Sequence, residues 1–171
     1  NSTLQYPNAL ASYVMAAFFI AIGFLIISKK TWQKALIGGL CHILFLTFML
    51  TKSRGAQLLF PIILLILFVV IPKGSKIKAI TQVILLAAPA IVISLLINPY
   101  LSANELNTKA FMLILAGIII SVIFGIISGY IGSFLQKVNW KVYAVVFSAF
   151  VIITTVVVNH IVNASIPRII K

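Results

Sequence analysis

Again and again this chain runs for about 20 residues with almost no charge, the length needed to cross roughly 30 Å of hydrocarbon at about 1.5 Å per residue. The runs are continuously apolar and do not alternate at a period of two, so they read as helices and not as barrel strands. Composition agrees, with 63% of residues hydrophobic and 8% charged and a mean hydropathy of +1.23. The expected fold class is all-α, a polytopic transmembrane helical bundle of about six spans set in a lipid bilayer.

The spans are read at 9–28, 35–50, 56–71, 79–97, 110–133 and 142–158, forming a single transmembrane region in a chain that we expect to be a piece of something longer. No signal peptide is in view. Pro61 falls near the start of the third span, where a missing donor matters least, and Pro89 in the middle of the fourth predicts a kink there. Gly125 and Gly129 have the GxxxG spacing that permits close helix contact.

A net charge of +12 raises the question of nucleic acid, but the lysines and arginines lie between the apolar runs, without a basic patch interleaved with stacking aromatics. A nucleic-acid partner is therefore excluded. The single cysteine, Cys41, lies inside an apolar run, so neither a disulfide framework nor a cysteine metal cluster is available, and it reads as a small core residue. The turns after spans one, three and five carry Lys29, Lys30, Lys34, Lys73, Lys76, Lys78, Lys137 and Lys141. They outnumber Lys52, Arg54, Lys109, Arg168 and Lys171 on the opposite face, which by the positive-inside rule makes the first group cytoplasmic.

Against this background one stretch stands out, TKSRGA at Thr51 to Ala56, which sets a guanidinium between two spans. An arginine at membrane depth is costly unless it reaches the interface, pairs with an anion or lines a wet cavity. Ser53 reads as an N-cap and Arg54 as a first-turn residue of the helix that follows. Backbone N–H groups, the positive end of the helix dipole and a forked donor then converge on one spot suited to a phosphate or diphosphate.

The pairing of YPNALASY, Tyr6 to Tyr13, with TKSRGA one helical hairpin later resembles the O-antigen ligase family of bacterial membrane proteins, particularly its Gram-positive-type members. The likeness covers essentially the whole chain, as the central helices of that family and part of a GT-C-type membrane glycosyltransferase. It implies transfer of a glycan from an undecaprenyl-diphosphate carrier to a glycan, lipid or protein acceptor at the extracytoplasmic face of the bacterial cytoplasmic membrane, with no metal and no cofactor. It also implies that Arg54 contacts the donor diphosphate, with Ser53 and Gly55 shaping the turn that presents it. From the residues themselves, Tyr6 and Asn8 have a secondary reading as substrate-facing groups, and Arg168 is a candidate for a second anion contact because a guanidinium can bind phosphate bidentately. The family usually continues into a large external loop bearing an arginine and a histidine; His160 and Arg168 stand at its threshold without matching that pattern, and no catalytic residue is assigned.

Each of these residues has a plainer alternative. Arg54 can snorkel to lipid headgroups with Lys52 beside it, Tyr6 and Asn8 can anchor and cap the first helix, and His160 and Arg168 can be solvated loop residues. His42 lies nine positions before Thr51, roughly 13 Å deeper, and is expected to hydrogen-bond a neighbouring span. Glu105, the only acid, reads as a loop carboxylate near Lys109 more readily than as a base. The sequon-like triplets at Asn1 and Asn163 carry no weight. Among functions, a polysaccharide polymerase acting on the same carrier stays open, as do a transporter or flippase and a structural membrane subunit. The transporter reading calls for buried ionisable groups and related halves, whereas the spans hold only His42 as a titratable group of that sort and no repeat is visible.

Overall fold

The computed structural model describes residues 7–100 and 108–135, together with the isolated helical positions Val145, Ser148, Ala149, Ile152 and Val156. Among the described residues all regular structure is helical. Helices α1 (Pro7–Ile27), α2 (Thr31–Leu50), α3 (Arg54–Val70), α4 (Lys73–Ile97) and α5 (Thr108–Leu135) follow one another, with a 3-10 turn at Asn98–Tyr100 after α4. The sixth expected span, 142–158, lies outside the described residues apart from those five positions.

Four helical stretches, Pro7–Ile27, Thr31–Leu50, Lys78–Tyr100 and Thr108–Ser128, are long and apolar enough to cross a membrane. This is a membrane protein. The helix bounds differ from the expected spans mainly at the lysine-rich turns: α2 starts at Thr31, ahead of 35, and α4 at Lys73, ahead of 79. The physical reason is that apolarity marks the hydrocarbon, whereas a helix of lysine and glutamine, both good helix formers, continues past it into the headgroup layer. α3 is the short one, at 17 residues reaching only about 26 Å.

Between apolar helices in lipid there is little hydrophobic drive, so close approach and specific polar contacts decide the packing. α2 sits centrally, touching α1, α4 and α5. Its Gly38 lies so near α5 that a Cβ there would meet the Ser121 carbonyl oxygen at 2.6 Å and the Gly125 Cα at 3.1 Å. The small-residue surface is thus shared between Gly38 and Gly39 of α2 and Gly125 of α5, whereas the sequence pattern pointed to Gly125 and Gly129 within α5; the side of Gly129 falls outside the described set. One level up, the fully buried His42 accepts or donates a hydrogen bond with Ser121 Oγ at 3.0 Å through Nδ1, as expected of a span-bridging histidine. Gly117 has no side chain because the His42 ring occupies that space.

The other half of the core is aromatic. Phe18 and Phe19 of α1, Phe45 and Phe48 of α2 and Phe60 of α3 form a continuous cluster, with Phe45 and Phe60 at 5.2 Å and Phe19 stacked on Phe60 at 5.6 Å. Each such pair contributes about 0.5 to 1.5 kcal/mol beyond its buried area. Phe60 is therefore the pin that holds the short α3 against α1 and α2. In α4, Pro89 is buried within one uninterrupted helix.

Because α2 and α4 run one way and α1, α3 and α5 the other, the chain has two distinct ends. One gathers the start of α1, the α2–α3 corner, the end of α4 and the start of α5. The other gathers Ser28 to Lys34, Ile71 to Lys78 and the later part of α5, where a Cβ on Gly125 would collide with the Lys34 carbonyl.

Candidate functional site

The corner between α2 and α3 is built in three residues. Thr51 ends α2, its backbone N–H still bonded to the Thr47 carbonyl at 3.0 Å and its hydroxyl donating to the Phe48 carbonyl at 2.7 Å. Lys52 then reverses the chain with a φ of 51°, the left-handed region that costs a residue with a Cβ of the order of 1 kcal/mol. Ser53 follows in extended conformation as the N-cap of α3, and its Oγ accepts the Ala56 N–H at 3.3 Å. The N-cap role of Ser53 and the first-turn position of Arg54 match the sequence expectation. The turn itself is made by Lys52; Gly55 has an ordinary negative φ and open space where a Cβ would be.

Two hydrogen bonds lock this corner to other helices. Ser53 Oγ donates to Asn8 Oδ1 at 2.6 Å, so the first helical turn of α1 and the first turn of α3 share one polar contact across 45 residues of sequence. Pro7 opens α1, where its missing donor is harmless, and Asn8 follows, exposed at that rim. From the other side, Lys52 Nζ donates to Asn98 Oδ1 at 3.2 Å, reaching the residue that follows α4. Residues of α1, α2, α3 and α4 therefore meet around Ser53, which is only 3% exposed.

Arg54 projects from this buried anchor into the open. It is exposed and makes no hydrogen bond or ion pair among the described residues. Its neighbours Gly55 and Lys52 are exposed as well. Behind them Gln57, 6% exposed, donates through Nε2 to the Met49 carbonyl at 3.5 Å and leaves Oε1 without a partner. The result is a rigid, hydrogen-bonded corner presenting two cations and the free N–H groups of a helix N-terminus, with the helix dipole adding to the positive potential. Chemically it can hold an anion with several acceptor oxygens, and the arginine fork can take two of them at once.

Of the residues singled out from sequence, Ser53, Arg54, Gly55 and Asn8 are brought to one rim. Tyr6, Glu105, His160 and Arg168 lie outside the described residues. Three participants were missed: Lys52 as the turn-former, Asn98 as its tether, and Gln57 as a buried amide. A lone glutamine early in an apolar helix was the available signal for the last; Lys52 and Asn98 are 46 residues apart and gave none. Comparison with protein-family models, with curated proteins and with solved structures returns no match.

Proposed function

We propose that this protein takes part in extracytoplasmic transfer of a glycan from an undecaprenyl-diphosphate carrier to an acceptor, in the manner of an O-antigen ligase, in the bacterial cytoplasmic membrane. The observation that carries the reading is the 2.6 Å hydrogen bond between Ser53 and Asn8. It joins the two short motifs on which the family likeness rests, and it stiffens the turn from which Arg54 extends.

The chemistry follows from charge. An acceptor hydroxyl attacks the sugar's anomeric carbon, the bond from that carbon to the diphosphate oxygen breaks, the electron pair leaves with the diphosphate, and the hydroxyl proton passes to that departing diphosphate or to solvent water. Negative charge grows on the leaving group, which is where Arg54 and the first-turn N–H groups of α3 act. Because Ser53 caps α3 and bonds Asn8, the first-turn N–H groups are held in place as the charge develops. A polymerase on the same carrier uses the same grip, and only the acceptor tells the two apart.

The test is transfer by the full-length protein in proteoliposomes with a lipid-linked donor. Arg54→Ala is expected to lower turnover by roughly a hundredfold or more, and Arg54→Lys, which keeps the charge and loses the fork, by an intermediate amount. Undiminished transfer by correctly inserted Arg54→Ala overturns the assignment. Sidedness is read separately with Gly55→Cys and a membrane-impermeant maleimide, since the native Cys41 is buried. Labelling of intact cells supports an outward-facing corner, and labelling only after lysis removes it.

A further inference from the structure

One buried side chain that the Arg54 corner does not use carries a basic nitrogen: His42 of α2, whose exposure is 0%. Ser121 Oγ of α5 meets its Nδ1 at 3.0 Å, as donor or as acceptor according to which nitrogen holds the single proton of the neutral ring. The other nitrogen, Nε2, is buried and has no partner among the described residues. That edge of the ring fills the space of the missing Gly117 Cβ on α5, and Ile93 of α4 closes on the same point, 2.9 Å from where that Cβ would stand. A polar ring with one nitrogen served and one orphaned, at membrane depth where three helices meet, is a functional candidate by default.

The neutral ring fits this place and the charged ring does not. An imidazolium donates from both nitrogens. Ser121 can turn to accept from Nδ1 and give its own proton to a carbonyl one turn back, a bond open to any helical serine, but Nε2–H meets no acceptor. α1, α2, α4 and α5 contain no aspartate or glutamate to supply an opposite charge. Their titratable groups are cations, tyrosines and one cysteine. Lys34 precedes His42 and Lys109 precedes Gly117 by about 12 Å along their helices, while Lys73, Lys76 and Lys78 belong to the first two turns of α4, farther still from Ile93. Lys52 and Arg54 lie past the end of α2. Tyr13 and Tyr130 are exposed, and Cys41 stands about 100° round α2 from His42. An added proton therefore leaves a buried charge among groups that are neutral or of like sign, which costs more than the bond to Ser121 returns.

The seam that the ring crosses is built to part. α2 and α5 meet there through Gly38, Gly39, Ser121 and Gly125, small residues that bring the backbones together without long side chains of their own to interlock. We propose that His42 is a proton-sensitive latch between α2 and α5: the neutral ring, seated over Gly117 and bonded to Ser121, keeps the two helices together, and proton uptake drives it out of the seam and lets α5 move away. The closed state binds fewer protons than the separated one, so it holds at high pH and gives way as pH falls. The latch is separate from the Arg54 corner and does not depend on the function proposed for it.

The test is the distance between spin labels at Leu40→Cys of α2 and Ile119→Cys of α5, both exposed positions, in a Cys41→Ala background of the full-length protein in vesicles. The pH runs from about 8 to about 4, which covers the usual range of histidines in folded proteins. A longer-distance population is expected to appear reversibly, growing up to tenfold per pH unit as one linked proton requires. His42→Gln, which keeps a hydrogen-bonding group and cannot take up the charge, is expected to stay closed throughout. Ser121→Ala, which removes the bond to the neutral ring and leaves the ring able to titrate, is expected to move the midpoint to higher pH with the slope unchanged. Nitrogen NMR of the imidazole in the unsubstituted protein follows the same event without any variant, and its titration is expected to coincide with the separation. The proposal is overturned by a distance that ignores pH, by a response that persists in His42→Gln, by a midpoint that Ser121→Ala leaves in place or lowers, or by a ring that titrates while the helices stay together.

Discussion

The two ends of the bundle treat helix N-termini in opposite ways. At one end α3 begins behind Ser53, whose hydroxyl caps the turn and at the same time bonds Asn8, and a single arginine extends from that fixed point. At the other end α2 and α4 begin without side-chain caps, among lysines on short turns. The first arrangement concentrates positive charge at a defined place and orientation. The second spreads it across a surface. The same physical ingredient, the positive end of a helix, is thus focused where hydrogen bonds fix its surroundings and diffuse where they do not.

The comparison breaks most readily at Arg54. If the capped corner is the recognition end, Arg54→Ala removes transition-state stabilisation of about 2.7 to 4 kcal/mol, a hundredfold to thousandfold in transfer rate, while no single lysine-to-glutamine change at the far end moves turnover by more than a few-fold. Equal sensitivity of the two ends in the same assay erases the distinction. The framework that keeps the ends apart is tested next. Gly38→Ala drives a Cβ against the Ser121 carbonyl, backbone that cannot step aside, and is expected to cost about 1 to 3 kcal/mol of stability, read as a lowered unfolding midpoint in detergent. Gly55→Ala, with open space at its Cβ, stays near neutral in the same measurement and serves as its control.

How much of this was legible beforehand differs between the two halves of the corner. Apolar runs and N-cap chemistry act over a few residues, so the helices, Ser53 and the first-turn position of Arg54 follow from local sequence. The contact between Ser53 and Asn8 is a matter of how α1 and α3 pack, which depends on Phe60 seating among Phe18, Phe19, Phe45 and Phe48; the spacing of phenylalanines does not state which of them meet. The choice of Lys52 over Gly55 for the left-handed turn was invisible for a related reason. Intrinsic preference favours glycine, and tertiary tethering to Asn98 overrides it. The lysine turns misled in the opposite sense, because their charge marked the edge of the hydrocarbon and not the start of the helix.

Caps offer a smaller and more symmetrical test. Ser53→Ala removes the cap and the partner of Asn8 together and is expected to cost about 1 kcal/mol, whereas Lys30→Ser supplies α2 with the cap it lacks and is expected to raise stability by up to a similar amount. Opposite signs in the unfolding midpoint sharpen the contrast between the ends, and like signs dissolve it.

The finest distinction lies in the Lys52 turn. Lys52→Gly relieves the left-handed backbone, a gain of about 0.5 to 1 kcal/mol, but loses the bond to Asn98, worth about 0.5 kcal/mol at an exposed site. The two nearly cancel in stability, so the informative readout is a cycle of Lys52→Gly, Asn98→Ala and the double variant. If the ammonium tether holds the turn, Asn98→Ala destabilises the wild-type background by about 0.5 kcal/mol and has no effect once residue 52 is glycine. An Asn98→Ala cost that is the same in both backgrounds shows that Asn98 acts by ending α4 and not by holding Lys52, and the Arg54 corner is then fixed by Ser53 and Asn8 alone.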